Sequence, residues 1–93
     1  MEPSFSIISN AMKRAGLTPT EMIFLLPIGR ATFYNWKRGQ PITDLLRYRL
    51  CEARCKVIQR AVEMEKLPLS EDTPRRQRLP NVKRILDEVR TGR

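Results

Sequence analysis

Residues 18–39, Thr18-Pro19-Thr20-Glu21 through Lys37-Arg38-Gly39, read TPTEMIFLLPIGRATFYNWKRG. The Thr18 hydroxyl can accept from the Glu21 backbone, and the Glu21 carboxylate can reach back to the Thr18 amide. Pro19 then occupies the first helical position, where its missing N–H costs nothing. The helix so announced runs through Met22-Ile23-Phe24-Leu25-Leu26, apolar on every face, which predicts cover on most sides. Pro27 disfavours helical geometry at Leu26 and ends it. After Ile28-Gly29 the spacing predicts a further short helix over 30–38, closed by Gly39. Phe33 and Trp36 lie three apart and share one face of it, leaving Arg30, Ala31, Tyr34, Asn35 and Lys37 around the rest. Aromatic rings stacking on single-stranded bases would put both rings on the surface and leave this helix unanchored. Phe33 and Trp36 therefore belong to the core.

Outward from this stretch the pattern stays helical, and no strand-like alternation interrupts it. A first helix fits 4–15, with Phe5, Ile8 and Met12 recurring at helical spacing and Ile7 and Ala11 widening the stripe. Ser4 can cap its start; Lys13, Arg14 and Gly16 suit its end. Pro41 and Thr43 open a long helical segment to about Lys66. Along it, Leu46, Leu50, Ala53, Val57, Ala61 and Met64 form one apolar row, with Cys51, Cys55, Ile58 and Val62 beside it. Such a helix outruns a three-helix head, so part of the stripe needs another partner. Residues 67–80 (LPLSEDTPRRQRLP) hold three prolines and read as a linker. Within 81–93, Val82, Ile85, Leu86 and Val89 mark one face of a last short helix, too short to persist unless it docks. The expected fold is all-α: a compact head of three short helices and a long fourth helix over 1–66, the linker, then the C-terminal helix as a dimerisation or docking element.

Bulk properties narrow the function. Ninety-three residues make one domain, 41% hydrophobic, with a formal charge of +8 and no His. The excess is spread along the chain, +3 over residues 1–40, +2 over 41–67 and +3 over 68–93. Such a balance favours nucleic acid or an anionic surface as partner. No apolar run approaches the roughly 20 residues of a membrane span, and Met1-Glu2-Pro3-Ser4 does not open a signal peptide, so a cytoplasmic protein is expected. Cys51 and Cys55, four apart in the long helix, read as buried reduced thiols, the alternative being an intermolecular disulfide or redox switch. Zinc would need two more ligands, and the chain has no His and no other Cys. No metal or other cofactor is expected. Enzymatic activity is not expected either: there is no His, the acidic residues are scattered among basic neighbours, and there is no Gly-rich phosphate loop.

Two short helices joined by a tight turn, the second with basic and amide side chains outward, form a recipe for helix-turn-helix recognition of DNA. Residues 18–39 resemble the lambda-repressor-like helix-turn-helix of phage repressors, Cro proteins and XRE-type relatives. The likeness runs without gaps through Glu21, Met22, Leu25, Leu26, Ile28, Arg30, Thr32, Phe33, Trp36, Arg38 and Gly39, and extends loosely over residues 4–66 by helix order. The chain departs from that pattern at Ile23, where the family packs a small residue between the helices. It departs again at Pro27, where a turn glycine is usual, and at Lys37, where Glu is common. Gly29 is available to absorb the conformational change at Pro27.

By position in the motif, Arg30, Ala31, Tyr34 and Asn35 should face base edges. Arg30 suits guanine, Asn35 adenine, and Ala31 a thymine methyl. Thr18, Thr32, Lys37, Arg38 and Gln40 are placed for phosphate, with Arg75, Arg76 and Arg78 as auxiliary DNA contacts or a solvated linker run. The resemblance implies a sequence-specific transcriptional regulator of phage, prophage or plasmid type, binding double-stranded DNA as a homodimer and blocking or touching RNA polymerase. Leu50, Val57, Ile58, Ala61, Val62, Ile85, Leu86 and Val89 are the expected dimer interface. The alternatives are a protein-interaction module, such as an antitoxin or polymerase-binding adaptor, and a non-specific architectural DNA-binding protein.

Overall fold

Local chemistry at the helix ends sets the architecture, which a computed structural model describes for residues 2–92. Its helices are α1 (Ser6–Arg14), α2 (Pro19–Leu25), α3 (Arg30–Lys37), α4 (Leu45–Glu63) and α5 (Arg75–Thr91). No strand occurs among the described residues, so the fold is all-α. None of these helices is long and apolar enough to cross a membrane.

The α2 capping box forms as the sequence predicts. The Glu21 N–H donates to the Thr18 hydroxyl at 3.1 Å, and the Thr18 N–H donates to the Glu21 carboxylate at 2.9 Å. At its start α1 uses Ser4, whose hydroxyl accepts from the Ser6 N–H at 3.2 Å. Helices α1 and α3 both close on glycines in the left-handed region, Gly16 at φ 65° and Gly39 at φ 95°. In each case the next amide reaches back to the last turn: Leu17 N–H to Met12 carbonyl, 3.0 Å, and Gln40 N–H to Asn35 carbonyl, 3.1 Å. The same closure ends α4, where the Lys66 N–H donates to the Ala61 carbonyl at 2.9 Å. There the left-handed position is held by Glu65, at φ 61°. The long helix thus stops without a Gly or Pro to announce it.

Two expectations need correction. The apolar row Leu46-Leu50-Ala53-Met64 of α4 points outward; Leu46 is 73% and Leu50 51% exposed. The buried face is Tyr48, Cys51, Cys55, Ile58 and Ala61: three members of the row that looked secondary, Ala61 from the first row, and a tyrosine assigned to neither. Burial pushes the Cys51 thiol up to about 11 and the Cys55 thiol to about 12; both are free. The second correction concerns residues 67–80. Leu67 is buried, Leu69 and Leu79 pack against the core, and α5 already begins at Arg75 with Pro80 inside it. Pro80 removes one backbone hydrogen bond from the ladder, but Val82, Ile85, Leu86 and Val89 are buried and hold the helix in place. Helix α4 is the shared support, packing against α1 and α5.

Two of these left-handed closures give a paired stability prediction. A Cβ on Gly16 would lie 2.8 Å from the Pro68 Cβ, so Gly16→Ala should cost about 2 kcal/mol or more from strain and clash together. Glu65→Gly should stabilise by up to about 1 kcal/mol by relieving the side-chain penalty at positive φ. Urea unfolding of the two variants beside the parent chain checks both signs.

Candidate nucleic-acid interface

Helix α3 is presented by its aromatic anchor. Phe33 and Trp36 are buried, as the spacing predicts. The Phe33 ring meets Phe5, at the N-terminal cap of α1, edge-on at 5.1 Å, and Trp36 meets Tyr48 of α4 at 6.1 Å. The Tyr48 hydroxyl donates to the Ser4 carbonyl at 3.0 Å and accepts from the Ser4 N–H at 3.1 Å. That one ring therefore ties the N-terminal segment to the anchor of α3.

With its anchor inward, α3 turns Arg30, Ala31, Lys37 and Arg38 fully outward. Tyr34 is half-buried. Its ring stands edge-on to Phe33 at 5.2 Å, with the Lys37 ammonium 5.7 Å from its centroid. Asn35 is also half-exposed, and its carbonyl oxygen accepts from the Arg38 guanidinium. A bidentate contact to adenine would need that oxygen released. Thr32 and Asn35 border a polar trough continued by Gln40, Thr43 and Asp44. Thr18 is exposed, its hydroxyl oxygen engaged by the cap and its proton still able to donate.

Charge separates this surface from the rest of the molecule. Between Glu21 and Asp44 the chain has no acidic residue. Arg30, Lys37 and Arg38 are in none of the ion pairs found among the described residues, which engage Arg47, Arg49, Arg78, Arg84 and Arg90. The α3 face is thus a patch of three unneutralised cations with an amide and a phenol between them.

The turn before α3 is held by a contact the sequence does not announce. The Arg47 guanidinium donates to the Pro27 carbonyl at 2.9 Å, while Asp44 caps α4 by accepting from the Arg47 N–H at 3.0 Å. Leu26 takes extended geometry (φ −100°, ψ 148°), so Pro27 fits with no left-handed residue. Gly29 is not in the left-handed region either, at φ −83° and ψ 171°, and does not supply the compensation expected of it.

Of the auxiliary cations, Arg75 and Arg76 are exposed at the start of α5. Arg78 is directed elsewhere. Its guanidinium donates to both Glu21 carboxylate oxygens, at 2.8 and 3.2 Å, and to the Gly16 carbonyl at 2.9 Å. It therefore fastens α5 to the cap of α2 and to the end of α1. The expected dimer interface is also largely internal: Ile58, Ala61, Ile85, Leu86 and Val89 are buried within one chain, and Val57 and Val62 pack partly against the same core. Only Leu50 of that set is exposed. Comparison with protein-family models, curated proteins and solved structures finds no match to this chain.

The Arg78 hydrogen bonds hold the Glu21 carboxyl below its ordinary value of 4.5, against a desolvation that acts in the opposite direction. A carboxylate with a lowered pKa contributes stability that is complete above the unfolded value and lost as pH falls through the folded one. Both side chains keep some solvent, so Arg78→Ala should cost about 1–2 kcal/mol. Glu21→Gln should flatten the loss of stability that sets in as pH falls below the ordinary carboxylate value of 4.5. Thermal unfolding across that range checks both.

Proposed function

We propose that this chain is a sequence-specific double-stranded DNA-binding regulator that sets α3 into the major groove. The observation that carries the reading is the unpaired, acid-free outer arc of α3 on a buried aromatic anchor. A rigid helix bearing Arg and Asn outward supplies donors in fixed register for base edges, and the surrounding cations supply affinity through phosphate. In this reading Arg30, Ala31, Tyr34 and Asn35 face the bases. Thr18, Thr32, Lys37, Arg38 and Gln40 flank them on the backbone, joined at the edge by Arg75 and Arg76. Arg38 has two roles: it orients Asn35 in the free protein and turns to phosphate in the complex.

The proposal includes two copies on one operator, each reading a half-site roughly 34 Å from the other. The α5 face is consumed inside the protomer, so co-occupancy would be held by the shared DNA. Regulation would follow from occupying a promoter or touching RNA polymerase, in a cytoplasmic setting of phage or plasmid type and without catalysis.

In vitro selection from a random duplex pool should return a consensus with two-fold symmetry. On that consensus Arg30→Ala and Asn35→Ala should each cost about 1–3 kcal/mol, with little effect on random DNA. Equal losses on both DNAs would favour an architectural protein, and no loss on either would favour a protein partner. Electrophoretic mobility shift titrations at one fixed salt concentration distinguish the three.

A further inference from the structure

The outer side of α4 carries an apolar stripe that the chain leaves open. Leu46, Leu50, Ala53 and Val57 succeed one another at intervals of four, three and four, and Met64 continues the row two turns on. Leu46, Leu50 and Met64 are 73%, 51% and 48% exposed. Leu50, Ala53 and Val57 join Pro27 in a shallow cleft of about 280 Å³, with Arg54 and Arg90 at its rim. On the opposite side Lys56 and Arg60 border Val57. Arg90 is paired with Asp87. Arg54, Lys56 and Arg60 are in none of the ion pairs found among the described residues.

We infer that this stripe is a docking surface for an acidic amphipathic helix of another protein. Apolar side chains at these intervals match the anchor spacing of a helix laid along a helix, and cations on both flanks select a partner with carboxylates beside its own apolar row. A second copy of this chain fits worse. Antiparallel pairing along the stripe would set the cations Arg54, Lys56 and Arg60 flanking one copy's stripe beside the cations flanking the other's. The nearby carboxylates, Glu52 and Glu63, lie beyond the cations, and Glu52 is already paired with Arg49. Nucleic acid would use the cations but leave the leucines in water. A membrane-lying helix needs a wide apolar face, whereas this row is one residue across. The surface is separate from α3, so the inference does not depend on DNA binding.

The test uses the full chain and a fluorescent synthetic helix of about 18 residues, with Leu at helical anchor spacing and Glu on both flanks. A second peptide keeps the leucines and carries Lys in place of Glu. Anisotropy titration should show binding of the Glu peptide alone, weakened about tenfold by Leu50→Ala. The double variant Arg54→Glu, Arg60→Glu should lose the Glu peptide and take up the Lys peptide. Leu50, Arg54 and Arg60, like Lys37 and Arg38, are on the surface, and circular dichroism verifies that each variant is folded. The inference is overturned by equal binding of the two peptides, or by Glu-peptide binding that these variants leave intact and Lys37→Glu with Arg38→Glu abolishes. Sedimentation showing self-association that Leu50→Ala removes would assign the stripe to a second copy. Capture by phosphatidylserine vesicles that the same variant abolishes would assign it to a membrane surface.

Discussion

The insertion of Phe33 and Trp36 between α1 and α4 is the constraint on which the rest depends. Helix α3 has only eight residues, too few to persist in water on its own propensity. It holds its shape because two large rings on one face leave solvent and meet Phe5 and Tyr48. Once they are inward, the direction of every other α3 side chain is fixed by helical periodicity, and Arg30, Ala31, Lys37 and Arg38 are turned out together. A single apolar contact thus sets both stability and the composition of the exposed face. The polar additions act around it: Tyr48 secures the N-terminal segment, Arg47 secures the Pro27 turn, and Arg78 secures α5.

What could be read from the residues alone follows from how local each determinant is. The capping box at Thr18 and Glu21 and the glycine closures at Gly16 and Gly39 depend on neighbours within a few positions, so their geometry was foreseeable. The inward face of α3 was legible for the same reason, since only two of its residues are large and apolar. The register of α4 was not. Two rows of comparable hydrophobicity run along that helix, and pattern alone favours the one richer in Leu. The structure buries Cys51, Cys55 and Ile58 of the other row, joined by Tyr48 and by Ala61 of the first, and α1 and α5 pack against the helix. Burying that row leaves Leu46 and Leu50 outside.

Residues 67–80 show the complementary limit. Their prolines suggest a spacer, yet Leu67 is buried and Arg78 finds Glu21 across 57 positions of sequence. A long-range ion pair leaves no periodic trace, and it converts an expected linker into the first turns of α5. The same pairing removes Arg78 from the cations available to an external anion. It also explains how α5, interrupted by Pro80, stays docked: apolar burial fixes its second half and the guanidinium fixes its first. The dimer surface expected on α5 is consequently core.

The central claim is that α3 meets duplex DNA while the outer stripe of α4 does not. Titrating the isotopically labelled chain with a short DNA duplex, and following backbone amide resonances, tests it most directly. The account predicts that the largest shifts fall on residues 30–38, with smaller ones at Thr18 and Gln40, and that the amides of Leu46, Leu50 and Val57 stay in place. Shifts concentrated on the α4 stripe, with α3 unmoved, would contradict it.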